Sequence, residues 1–135
     1  MFFKSTAKAS EALALAETKA TFVDRGVPPS DDFISASMNG DGMWNDLDIS
    51  AIVPVAAKSV FISVELKFTI AGSAISFRRY GDTGDFSDID CSSQVNDHSM
   101  TVVICVPLTG NGLIQYCFMD VVCTYVKGYI IGWLI

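Results

Sequence analysis

Four carboxylates, Asp82, Asp85, Asp88 and Asp90, fall in the short stretch Gly81–Asp90. Calcium takes several oxygen ligands from a flexible loop, so a calcium site is the chemistry this stretch would serve. It lacks the alternate-residue spacing and closing Glu of an EF-hand loop, and a solvated loop is the ordinary outcome for such a run. A second oxygen-rich turn, Asn39-Gly40-Asp41-Gly42, is followed by Asn45, Asp46 and Asp48. Trp44 and Tyr80 stand beside these two acidic turns. Ring faces next to Asp and Asn can stack on a sugar and fix it by hydrogen bonds, which makes both residues candidate ligand contacts. Packing in a core or interface is the competing use of each ring.

His98 is the sole histidine and Asp97 its neighbour in sequence; in a strand the two point to opposite faces. No nucleophile is placed beside this base and no nucleophile-elbow motif occurs, so the chain is expected not to be an enzyme. The four cysteines, Cys91, Cys105, Cys117 and Cys123, lack zinc or redox CxxC spacing. Cys117 and Cys123 flank Met119-Asp120. A hairpin there with 118 facing 121 would set Cys117 against Val122 and Cys123 against Tyr116, which is not a bridging register. Free thiols and a reducing compartment are expected.

The elements that must position these groups are mostly strands. Ser59 to Ile70 alternates without a break, with Val60, Ile62, Val64, Leu66, Phe68 and Ile70 in one phase, the pattern of a long strand with one buried face. Shorter strands are expected at Phe33–Ser37, Met43–Ile49, Ala74–Arg79, His98–Val106, Leu113–Phe118 and Val121–Trp133, with a polar loop over residues 81–96. Gly, Asn and Asp turns separate them, and no βαβ alternation appears. The fold class is therefore all-β, an antiparallel sandwich. Ahead of it, Ser5 to Ala20 favours a helix, and Ala9, Leu13, Ala16, Ala20 and Val23 recur at four- and three-residue spacings as a short heptad seam. Arg25 to Asp32 contains Pro28-Pro29 and reads as a linker. The organisation is a helical anchor over 1–24, a linker over 25–32 and a sandwich over 33–135.

The formal charge of −6, from nine basic and fifteen acidic residues, excludes a basic surface for nucleic acid. The apolar end, residues 128–135, is far short of a membrane span. Met1-Phe2-Phe3-Lys4 runs into Ser, Thr, Lys and Glu, not into the apolar run of a secretory signal. Residues 121–133 are apolar in both phases, and Phe61, Val103 and Cys105 interrupt polar phases elsewhere. An apolar outer face calls for a covering element or another subunit. A homo-oligomer is expected, with Tyr125, Tyr129 and Trp133 joining the heptad positions at its interface.

One further pattern runs from Trp44-Asn45-Asp46-Leu47-Asp48-Ile49-Ser50-Ala51-Ile52-Val53-Pro54 into the long strand. It continues through Gly72-Ser73-Ala74-Ile75-Ser76-Phe77-Arg78 and Val106-Pro107-Leu108 to Val126-Lys127-Gly128-Tyr129. This resembles the small jelly-roll-like domains of bacteriophage and viral fibre, tail and capsid-decoration proteins. The resemblance implies a trimeric virion protein, assembled in the host cytoplasm, whose partners are other virion proteins or a host-surface glycan. It implies no catalytic residue and no cofactor beyond the calcium considered above. A carbohydrate-binding module and a self-assembling filament or shell subunit are the alternatives.

Overall fold

The computed structural model of the chain describes residues 21–84, 88–119 and 123–135, with Cys123 described by its backbone alone. The heptad positions Ala9, Leu13, Ala16 and Ala20 and the loop residue Asp85 lie outside the described residues. The strands are β1 (Phe22–Asp24), β2 (Phe33–Ile34), β3 (Asn45–Asp48), β4 (Ser59–Phe68), β5 (Ala74–Arg79), β6 (Ile89–Ser92), β7 (Ser99–Pro107), β8 (Leu113–Phe118) and β9 (Cys123–Leu134). They form two antiparallel sheets. Sheet A runs β1-β9-β4-β7, with β2 also on β9, and sheet B runs β3-β8-β5-β6. This is an all-β protein with its core between two sheets.

The core follows from the alternation. Val60, Ile62, Val64, Leu66 and Phe68 of β4 are wholly buried and meet Ile75 and Phe77 of β5 and Ile114, Tyr116 and Phe118 of β8. Phe33 crosses to sheet B, its ring 6.0 Å from that of Phe77. It does so over Gly128, where a built Cβ would overlap the Phe33 ring and stand 2.6 Å from the Ser63 carbonyl oxygen. Among the described strands only β5 and β6 are both consecutive and paired. Residues 69–73 end β4 early by carrying the chain over to sheet B. Ala71 N–H donates to Asn96 Oδ1 at 2.7 Å and Gly72 N–H to Ser93 O at 2.8 Å.

Several expectations are corrected. Val23, the last heptad position, lies in β1 opposite Trp133 and so belongs to a strand. The Phe33–Ser37 strand stops at Ile34 and becomes a 3-10 turn, because side-chain oxygens take over: Val126 N–H donates to Ser35 Oγ and Ser37 Oγ donates to Ile34 O. The supposed loop of residues 81–96 contains β6, in which Cys91 is buried and Asp90 exposed. β8 and β9 lie in different sheets, so the Cys117–Cys123 hairpin register does not arise. Finally, the register of β9 slips against β4 between Phe61 and Ile62, leaving Ile131 as the extra residue of a bulge. The bulge inverts the phase: Tyr129 faces outward beside Ser63, while Trp133 sits beside buried Val60 and packs on the core.

Arg25–Asp32 is stitched to the edge of β9. Arg25 N–H donates to Ile131 O at 3.0 Å, Asp32 N–H to Gly128 O at 2.8 Å, and Ile130 N–H to Asp32 Oδ2 at 2.7 Å. The Arg25 guanidinium forms a two-pronged ion pair with the same carboxylate, Nη2 to Oδ1 at 2.9 Å, and also donates to Ile130 O. Pro28-Pro29 thus spans a gap in the strand pairing while residues 21–24 remain in the sheet.

Candidate functional site

The sequence-selected residues occupy three separate surfaces. On the outer face of sheet B, β3 turns Asn45 and Leu47 inward beside Tyr116 and Ile114, which sends Trp44, Asp46 and Asp48 outward. Arg78 and Gln115 face out in the same row. Arg78 Nε donates to Gln115 Oε1 at 2.8 Å, and Gln115 Nε2 donates to Asp46 Oδ1 at 3.0 Å. The Arg78 guanidinium lies 4.0 Å from the centre of the Trp44 ring, a cation–π contact that occupies one ring face. Tyr80 is four residues farther along the pairing, about 13 Å at the rise of a strand. It lines a groove of about 440 Å³ with Arg79, Gly81, Asp82, Thr83, Gly84 and Thr109. The two aromatic candidates therefore open onto different parts of the surface. Nothing in the sequence joins Arg78 to Trp44, because that contact depends on cross-strand neighbours.

The carboxylates are spread out and engaged locally. Asp82 Oδ1 accepts from Gly84 N–H at 3.0 Å, and Asp90 accepts from Ser76 Oγ. Asp88 is half-buried at the start of β6. Among the described residues no three His, Cys, Asp or Glu side chains gather as a metal-ion site. In the other oxygen-rich turn, Asn45 Nδ2 and Met43 N–H donate to Asp41 Oδ1 and hold its carboxyl below the usual range. Asp48 is lowered in the same way by the side chain and N–H of Ser50. Asn39 N–H donates to the Tyr116 hydroxyl at 2.8 Å and ties this turn to the core. These oxygens shape turns.

His98 is exposed and borders a small apolar hollow with Gln94, Val95, Ser99 and Met100. Cys91 and Cys117 are buried and free, and Cys105 is exposed and free. Burial, with the nearby Asp90 charge second, pushes the Cys91 thiol up to about 11. Burial also raises Cys117, with Asp41 adding to the effect and Arg78 opposing it.

The outer face of sheet A divides in two. One half is polar. Glu65 and Lys127 form an ion pair at 3.5 Å, and Tyr129, Ser63, Thr101 and Asp31 join them around a groove of about 300 Å³. Tyr125 is on the same side, 5.6 Å beneath the Lys127 ammonium. The other half is apolar. Phe61 pairs with Cys105, and Phe22 reaches across β9 to meet Phe61 edge-on at 5.6 Å. Gly132 makes that crossing possible, since a Cβ there would overlap the Val23 carbonyl oxygen and stand 2.6 Å from Phe22 Cζ. Phe22 thus covers part of the apolar face from within the chain. Val103, 63% exposed, and Cys105 remain uncovered. Trp133 has left this surface for the core side, and its indole N–H finds no acceptor among the described residues.

No protein-family model matches the chain, and no curated protein matches it.

Proposed function

We propose that this chain is a non-enzymatic structural subunit that associates with copies of itself, in the manner of an appendage knob or capsid-decorating protein of a virus or bacteriophage particle. The observation that carries the reading is the uncovered apolar half of sheet A, where Val103 and Cys105 lie exposed beside the Phe22–Phe61 pair. A sandwich sheet that faces water on its outer side carries polar residues there, as the Glu65–Lys127 half does. The strand order supports a jelly-roll-like fold: four strands in each sheet path, with the chain passing between sheets at almost every connection, the pattern of interleaved Greek keys. Function would then come from repetition, weak contacts gaining strength through shared attachment.

Light scattering of the full chain over a concentration series tests this. The expected result is a mass that is a multiple of 14.6 kDa. A mass of one chain at every concentration overturns the reading.

The polar half favours a second use, binding of a carbohydrate. The groove holds a tyrosine, two carboxylates, an ammonium and two aliphatic hydroxyls, the mix that fixes a sugar. Glycan-array binding that is lost in Tyr129→Ala, with the fold intact, would establish it. Silence of the wild-type chain on the array removes it.

A further inference from the structure

We propose that β7 is a docking edge for the β7 of a second copy, the two strands pairing antiparallel about Val103. The inference rests on the self-association reading above and names the contact that reading leaves open.

Edge strands carry unpaired backbone donors and acceptors, and soluble proteins blunt them with short length, charge or proline. The described edges of this molecule follow that rule with one exception. β3 is four residues long and carries Asp46 and Asp48; β6 is four residues long and carries Asp90. β1 is three residues long and carries Asp24, and β2 is two residues long and follows Asp31 and Asp32. β7 is nine residues long, Ser-Met-Thr-Val-Val-Ile-Cys-Val-Pro, without Asp, Glu, Lys, Arg or His. It ends sheet A. Among the described residues its backbone pairs with β4 and with no other segment.

Charge selects the occupant. Two copies of a chain with formal charge −6 repel, and their contact belongs where neither carries a carboxylate. A second β7 matches the first in length and in lack of charge. An isologous pair also leaves no free edge at the contact, so it closes. Ser99 and Pro107 bound the strand, and Val103 is its midpoint. Pairing about that midpoint sets Val103 against the partner's Val103 and Thr101 against the partner's Cys105. Opposed residues share a face, so these pairs stay on the outer side of the sheet. The most exposed apolar side chain of the strand is covered, and Cys105, at the end of the Phe22–Phe61 strip, meets a threonine and no charge. Pro107, which has no N–H to give, falls at the end of the paired stretch, where strand prolines are tolerated.

Two variants of the full chain test the contact. Val103→Lys sets like charges directly opposite each other at the centre, and should raise the dimer dissociation constant at least about tenfold by sedimentation. Its melting temperature should hold, because the side chain is largely in water. Thr101→Cys should form a covalent dimer through the partner's Cys105 under mild oxidation on a non-reducing gel. The wild-type chain should not, because the two Cys105 residues are four positions out of register, about 13 Å apart and beyond disulfide reach. Monomers from Val103→Lys and cross-linking in Thr101→Cys support the contact. An oligomer untouched by Val103→Lys, a closed trimer, or pairing of β7 with a strand of a different protein overturns it and leaves self-association or partner binding to other surfaces. A wild-type chain that is monomeric throughout overturns both this contact and the reading beneath it.

Discussion

The two edges of sheet A are managed in opposite ways. Along β9 every part of the edge from residue 126 to 135 meets a partner from residues 21–35. Thr21 and Ile135 exchange N–H to O bonds of 2.8 and 3.0 Å, Arg25 bonds Ile131, Asp32 bonds Gly128 and Ile130, and Ser35 bonds Val126. Much of this cover is not strand, since a carboxylate and a hydroxyl stand where a neighbouring carbonyl would be. Along β7 a nine-residue uncharged strand has no such cover among the described residues. An edge can thus be closed by a segment of prolines and acids too irregular to pair as a strand. A regular strand made of good β-formers stays open until another strand arrives.

The contrast can be broken from the closed side. Asp32→Ala removes the ion-pair partner of Arg25 and the acceptor of Ile130 N–H together. It should cost about 2–4 kcal/mol in urea unfolding, the scale for stripping a largely buried charge and donor of their partner. The Ile130 amide should exchange faster, and the newly opened edge should bring species heavier than wild type in sedimentation. Unchanged exchange at Ile130 would mean that the carboxylate is not what closes β9. Gly132→Ala drives a methyl group into the Val23 carbonyl and the Phe22 ring, and overpacking of that kind costs about 1–3 kcal/mol, read as a lower melting temperature.

The edge at β6 adds a pH test. Cys91 titrates at about 11 in the fold and nearer 9 when unfolded, so the folded state holds its thiol proton more tightly. The contribution of this thiol is complete below pH 9 and is lost as pH rises toward 11, on the order of 2 kcal/mol for a shift of that size. Cys91→Ala should flatten that slope in alkaline melts. The smallest effect belongs to the open edge: Val103→Lys should change monomer stability by less than about 0.5 kcal/mol while altering association.

Long periodic runs were legible in the sequence. Ala74–Arg79 and Leu113–Phe118 match β5 and β8, and the alternation from Ser59 gives β4 and its buried face. What was missed is what periodicity cannot carry. β1 and β6 are too short to show a period, and both exist because a partner strand is already present. The single inserted residue at Ile131 moves Trp133 to the other face, and nothing in the local sequence marks it. Trp44 was visible as an aromatic beside an acidic turn, but Arg78 over its ring comes from β5 and required the β3-β8-β5 order. The closure of β9 by Asp32 is likewise a contact between residues 98 positions apart.

That distance has a consequence in time. β9 holds β1, β2 and β4 in one sheet and comes after all of them in the chain. While the polypeptide is being made, β4 can find β7, but sheet A cannot be completed until residues 123–134 have emerged. Contacts between such remote segments must bear the full entropy of loop closure before they return any stability, so folding should be slow for a chain of this size, on the order of milliseconds to seconds. Throughout that interval the apolar face of β4 is half-covered, and the nascent chain is at its most dependent on chaperones.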